Sequence, residues 1–192
     1  MPRRARQAGG SGIHHVMMRG VNRDPIFLED EDRDRFLAAL AAARDASGCR
    51  VLAYCLMDNH VHLVLRTGAE SLGAAVKRVG VRYVYWFNRK YGRVGHLFQD
   101  RFKSVPVEDD AHLVVLLRYV WNNPVKAGLV ERADEYPWSS RRVVGPSAVV
   151  DADELMKLLP ADPLALLTDA EVPSWEAPRE RGPRPRSSEE EA

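Results

Sequence analysis

The sequence predicts an α+β fold: a ferredoxin-like split βαβ arrangement in the order βαββαβ, with one antiparallel sheet, two main helices on one face and an additional helix. Three observations carry that expectation. Apolar alternation gives way to helical spacing and returns in the order strand, helix, two strands, helix, strand. The second and third strands are separated only by Asp58 and Asn59, residues suited to a tight hairpin turn, so that pair is antiparallel. A third apolar helical pattern follows the fourth strand and can cover the sheet face that the main helices leave open.

Residues 13–20, IHHVMMRG, alternate and end on glycine, which predicts a strand. Residues 29–48 open with acids at the favourable end of a helix dipole. Phe36, Leu37, Leu40 and Ala43 then recur at helical spacing up to a glycine stop. Residues 49–57 and 60–66 form the two arms of the hairpin. Residues 71–92 predict a second helix, 101–108 a fourth strand, and 110–123 a third helix stopped by Pro124. The expected organisation is a flexible N-terminus over 1–12, the main folded domain over 13–142, an extension with short helices over 143–172, and a disordered tail over 173–192, rich in Pro, Arg, Ser and Glu.

Composition bounds the function. The chain has 192 residues, 45% of them hydrophobic, enough for one domain with a real core. No apolar run approaches the roughly 20 residues of a membrane span, so a soluble, cytoplasmic protein is expected. Cys49 and Cys55 flank one strand, roughly 20 Å apart if extended, and form no CxxC pair; this excludes a disulfide between them and a zinc knuckle. The formal charge of +1 conceals a division: residues 1–147 hold 23 Lys/Arg and 16 Asp/Glu, while 148–192 hold 5 and 11. A basic body points to nucleic acid, and an acidic tail reads as a solvating extension.

The stretch DNHVHLVLR, residues 58–66, puts two histidines on one face of a strand. Side chains alternate with period two, so His60, His62 and Val64 point one way and Val61, Leu63 and Leu65 the other, with the apolar set toward the core and the histidines facing out. Two imidazoles roughly 7 Å apart at their first atoms can converge on one ion if a third ligand comes from elsewhere. In the third helix Tyr119 and Asn123 are four residues apart and share a face. A hydroxyl and an amide oxygen can thus lie over the histidine pair, although a tyrosine in a helix more often serves as a core residue with its hydroxyl at the rim.

HVH in a strand, RYVWNNPVKAGLV (118–130), RGVNRDPIF (19–27), GRVGHLFQDRFKS (92–104) and YPWSS (136–140) together resemble the single-tyrosine HUH transposases, the IS200-like transposases, and particularly their REP-associated branch. The resemblance covers roughly 13–142. It implies a ferredoxin-like catalytic domain, metal-dependent cutting and rejoining of single-stranded DNA, and dimerisation in insertion-sequence members, so a monomer or homodimer is expected. Carried over by position, it makes His60 and His62 the HUH pair, Tyr119 the nucleophile and Asn123 the further metal ligand. Mg²⁺ or Mn²⁺ held by two imidazoles and an amide oxygen would keep positions open for phosphate oxygens, and tyrosine attack would leave a 5′-phosphotyrosine link and a free 3′-hydroxyl.

The expected partner is single-stranded or hairpin DNA, including short palindromic repeats. Candidate DNA contacts are Arg19, Lys77, Arg78, Arg82, Arg89, Lys90, Arg93, Arg101 and Lys103, mostly on the second helix and the loop after it. Tyr83 and Tyr85 suit packing or base stacking, and Tyr54 a half-buried strand position. His14, His15, His96 and His112 are read as structural or near DNA, outside the metal set. A histidine-triad nucleotide hydrolase needs another histidine where Val64 stands. A domesticated relative that binds DNA hairpins without cutting is the alternative function.

Overall fold

The computed structural model describes residues 10–142 and 149–159. Strands β1 (Ile13–Arg19), β2 (Arg50–Met57), β3 (His60–Arg66) and β4 (Lys103–Pro106) form one sheet in the order β2-β3-β1-β4. Every neighbouring pair is antiparallel. Helices α1 (Asp30–Ser47) and α2 (Leu72–Lys90) connect the strands, which completes the expected βαββαβ order. Beyond β4 come α3 (Asp110–Trp121), a short α4 (Asn123–Lys126) and α5 (Ala152–Leu158).

The alternation that predicted the strands also divides the core into two layers. Val16, Tyr54, Leu56, Val61, Leu63 and Leu65 pack against Phe36 and Leu40 of α1 and Val76, Val79, Tyr83 and Phe87 of α2. Phe27, Phe36 and Tyr83 meet there with ring centroids 5.3–5.6 Å apart, each pair adding about 1 kcal/mol beyond its buried area. On the other face Ile13, Leu52, Ala53, Cys55 and Val64 pack against Leu113, Leu116, Leu117 and Val120 of α3. The third helix therefore covers the open face, as its apolar stripe requires.

Some local expectations change. The fourth strand is shorter than 101–108 and pairs only over Lys103–Pro106. Tyr54 is buried rather than half-buried, because it points into the α1/α2 layer. Pro124 does not simply stop α3: the helix gives way at Asn122, and Pro124 occupies the first turn of α4, where a missing N–H costs nothing. The short helix expected within 151–160 is α5; the one expected within 163–171 and the tail over 173–192 lie outside the described residues.

The outer edge of β2 is occupied by the chain itself. Leu56 N–H donates to Trp138 O at 2.9 Å, and Asp151 N–H donates to Val51 O at 2.8 Å. The Asp151 carboxylate accepts from Val51 N and Arg50, while Arg66 pairs with Glu154. These bonds satisfy an edge that would otherwise be open to pairing with another strand.

Candidate active site

The site forms where the two central strands lie under α3. Alternation along β3 turns His60 and His62 away from the α1/α2 core and toward the third helix, which covers this face as expected: His60 is half-buried and His62 only 2% exposed. The covering helix makes a second core out of the face that a single sheet would present to water.

The pairing of β1 with β3 sets Met17 opposite His62 and His15 opposite Val64, so His15 is a diagonal neighbour of His62 on the same face. Its Nε2 lies 2.9 Å from His62 Nδ1, and the rings stack at 5.1 Å and 19°. His15 is thus part of the cluster that the sequence reading left it out of. The signal was present, since one of two adjacent strand histidines must face α3, but which one depends on the register with β3. His14 takes the opposite face and is also buried.

Helix α3 brings Tyr119 to the same place. Asp109 caps its start by accepting from His112 N at 2.7 Å, and Leu113, Leu116, Leu117 and Val120 seat it on the sheet. The half-buried Tyr119 ring stands edge-on to His62 at 5.5 Å and 88°, and to His15 at 5.9 Å and 76°. The Lys126 ammonium lies 5.2 Å from the centre of the Tyr119 ring. Burial pushes the phenol above its ordinary range, with the charge of Arg19 pulling the other way.

Burial also keeps the imidazoles neutral. It lowers His60 to about 4, helped by Arg19 and opposed by Asp58, and lowers His15 to about 4, with His112 adding to the effect. His62 falls well below 6.5 through burial and then through His15, His60 and Arg19. Hydrogen bonding assigns one proton directly. His60 Nδ1 lies 2.7 Å from Asn59 Oδ1, an oxygen that can only accept, so Nδ1 donates and Nε2 carries a lone pair. His62 Nε2 is a buried ring nitrogen with no hydrogen-bond partner among the described residues.

Asn123 is less simply placed. Its Nδ2 donates to Tyr119 O at 2.7 Å and to Val120 O at 3.4 Å, closing the end of α3 with the amide nitrogen toward the helix. The amide oxygen remains as the donor atom available to an ion. Among the described residues no three His, Cys, Asp or Glu side chains gather as a metal cluster. Two neutral imidazoles, one with an orphaned buried nitrogen, and an amide oxygen one helical turn after Tyr119 are nevertheless donor types that fit a divalent ion with open positions for substrate oxygens.

The basic residues divide between the two faces. Arg19 ends β1 on the histidine face and acts on His60, His62 and Tyr119, while Lys103 stands opposite Met17 on that face too. Lys77, Arg82 and Arg89 are exposed on α2, which packs on the other side of the sheet, and Arg101 is exposed in the following loop. Arg93 lies over the Phe87 ring at 5.7 Å. Two candidates are tied up by acids. Arg78 donates to both Glu70 oxygens at 2.6 and 2.7 Å, and Lys90 reaches Glu29, Glu31 and the buried Asp32 at 2.8–3.1 Å. Arg78 and Lys90, expected as DNA contacts, thus also carry ion pairs within the chain; sequence spacing could not show the carboxylates that α1 and the α2 entry bring to them.

Asp32 illustrates how firmly that ion cluster is built. Burial opposes its charge, yet the N–H groups of Leu28 and Glu29 together with Lys90 and Tyr91 outweigh it and hold the carboxyl below the ordinary range. Tyr83 and Tyr91 are likewise engaged: Tyr83 donates to Ile26 O and Tyr91 to Asp32. Tyr85 is 69% exposed. Gly20 shapes the loop after Arg19, because a Cβ there would come within 2.2 Å of Asp24 O.

Comparison with known proteins gives a family and a similar fold. The family described as "Transposase IS200 like" matches residues 11–123, a span from the strand before His15 to Asn123. A protein of Haemophilus influenzae named as a REP-associated tyrosine transposase is 27% identical over 100 residues, 46% of this chain, and the chain spans 57% of that relative's length. The solved structure of a REP-associated tyrosine transposase bound to a REP hairpin is similar in fold, with a TM-score of 0.63, 18% identity, and coverage of 90% of this chain and 96% of that one. No helix among the described residues is long and apolar enough to cross a membrane. With the family match extending over more than half of its length, the chain belongs to the IS200-like transposases.

Proposed function

We propose that the protein cleaves and rejoins single-stranded DNA through a covalent 5′-phosphotyrosine link on Tyr119, on hairpin or short palindromic substrates like those of the REP-associated branch. One observation carries the reading most directly. Tyr119, from a separate helix, stands edge-on at 5.5 Å to His62, whose buried Nε2 has no protein partner among the described residues. What sets His62 apart from the other buried histidines is its place beside both His60, with ring centroids 4.9 Å apart, and Tyr119.

His60 Nε2, His62 Nε2 and the Asn123 amide oxygen would hold Mg²⁺ or Mn²⁺, in keeping with the general metal dependence of the family. When bound, the ion supplies Lewis-acid polarisation of the scissile phosphate. Tyr119 supplies the nucleophile: its oxygen forms the new bond to phosphorus as the bond to O3′ breaks. The phenolic proton is lost and the departing O3′ gains one. Burial opposes ionisation of the Tyr119 phenol, and Arg19 favours the phenolate as it forms. Both the histidine pair and Tyr119 come from one chain, so a single protomer contains the complete set.

The test uses the full-length chain with single-stranded hairpins taken from its own flanking DNA and Mn²⁺. A protein–DNA adduct that survives denaturation, mapped to Tyr119 by mass spectrometry, supports the reading. An adduct on another tyrosine moves the nucleophile, and hairpin binding with no adduct on any substrate favours the non-cleaving alternative.

A further inference from the structure

We infer that His15 is a positioning residue that fixes the tautomer of His62 and turns its Nε2 lone pair into a metal donor; this rests on the metal role proposed for His62. The geometry is specific. His15 Nε2 and His62 Nδ1 are 2.9 Å apart in a fully buried contact, so one of the two nitrogens must be the donor and the other the acceptor. If His15 donated, His62 would carry its own proton on Nε2. The nitrogen facing the site could then not ligate an ion; the reverse arrangement moves the remaining proton to His15 Nδ1, so it is the metal role of His62 that decides between the two.

With the proton on His62 Nδ1 and His15 Nε2 accepting, the nitrogen left facing the site is a lone pair. A lone pair is what a cation needs. The same logic holds at His60, where Asn59 Oδ1 plays the accepting part at 2.7 Å. The two metal-facing imidazoles are therefore set by different partners. One is a local amide from the hairpin turn, and the other a long-range histidine that only the β1–β3 pairing supplies.

Stacking adds orientation to protonation. His15 lies at 19° to the His62 ring, while Tyr119 stands edge-on to both rings. This holds the His62 ring plane as well as its proton. His15 itself need not touch the ion.

The experiment starts with metal-free, full-length protein labelled with ¹⁵N in histidine, the His62 signals being assigned with His62→Gln. Nitrogen shifts should show His62 protonated on Nδ1. In His15→Leu the Nδ1–H loses its acceptor and His62 should shift toward the Nε2–H form, with Mn²⁺ binding, read by electron paramagnetic resonance, weakened about 10–100-fold. His15→Gln offers an amide oxygen as acceptor and should recover most of that affinity, whereas a volume effect alone would not distinguish Gln from Leu in this way. Finding His62 protonated on Nε2 in the unmodified protein overturns the inference even if a variant fails to fold. So does an Mn²⁺ Kd in His15→Leu within about twofold of the original, or no rescue by Gln. Unchanged Mn²⁺ binding in His62→Gln would refute the metal role itself, while the metal-free nitrogen shifts still report the tautomer.

Discussion

The two faces of the sheet are both buried, yet they are built differently. Toward α1 and α2 the contacts are aliphatic and aromatic: Phe27, Phe36 and Tyr83 interlock, and the Tyr83 hydroxyl is satisfied by Ile26 O. Toward α3 the same sheet carries His15, His60 and His62 beneath Tyr119, with a buried ring nitrogen left unpaired. Each layer buries a histidine of β1, His14 toward α1 and α2 and His15 toward α3, but the α3 layer gathers three imidazoles beside a tyrosine.

The comparison is broken most sharply at Tyr119. Tyr119→Phe deletes one oxygen and almost no volume, so the melting temperature should hold while adduct formation on a hairpin substrate drops on the order of 10⁴-fold, over 5 kcal/mol in barrier. An adduct that persists in this variant would return Tyr119 to the role of a rim residue.

Phe36→Ala reverses the pattern. It empties a fully buried position among Phe27, Tyr83 and Leu40 and should cost about 3–5 kcal/mol in urea unfolding, with adduct yield per folded molecule unchanged. A loss of chemistry out of proportion to the loss of fold would show the two layers to be coupled.

Acid should act through the histidine face. His15 titrates near 6.5 when unfolded and about 4 when folded, so the unfolded chain binds a proton that the native state refuses between those values. Stability is full above about pH 6.5, falls as the pH drops toward 4, and levels off below, a loss of roughly 3 kcal/mol from His15. His60 acts in the same window. Denaturant midpoints measured from pH 7 to 4 check this, and the slope should flatten by about one proton in His15→Gln. A profile identical to the unmodified protein's would remove His15 from the acid response.

The smallest effects distinguish open cations from paired ones. Arg82→Ala and Arg89→Ala, at exposed positions without an ion pair among the described residues, should each lower the salt slope of hairpin binding by about one if α2 meets the DNA. Arg78→Ala should leave that slope unchanged, since Glu70 already neutralises the guanidinium. Equal slopes throughout would move the DNA to the histidine face, where Arg19 and Lys103 lie.

The order of strands and helices was legible because it depends on local periodicity: alternation in residues 60–66, helical spacing through Phe36, Leu40 and Ala43, and a two-residue turn between β2 and β3. The same regularity put His60 and His62 on one face and Tyr119 one turn before Asn123. What those side chains touch depends on residues distant in the chain, and there the reading was incomplete. His15 joins His62 from 47 residues away, and Lys90 meets Glu29, Glu31 and Asp32 from about 60.

By itself, then, the sequence determined the elements, their order, and the residue types able to hold a phosphate and attack it, because propensity and alternation act between near neighbours. Only the tertiary structure decided how completely His62 is buried, that His15 rather than His14 enters its face, and that Arg78 and Lys90 are already engaged. The physical reason is common to all three. Burial, strand register and ion pairing are set by which surfaces meet across the sheet, and a one-residue change in register would exchange every side chain between its faces.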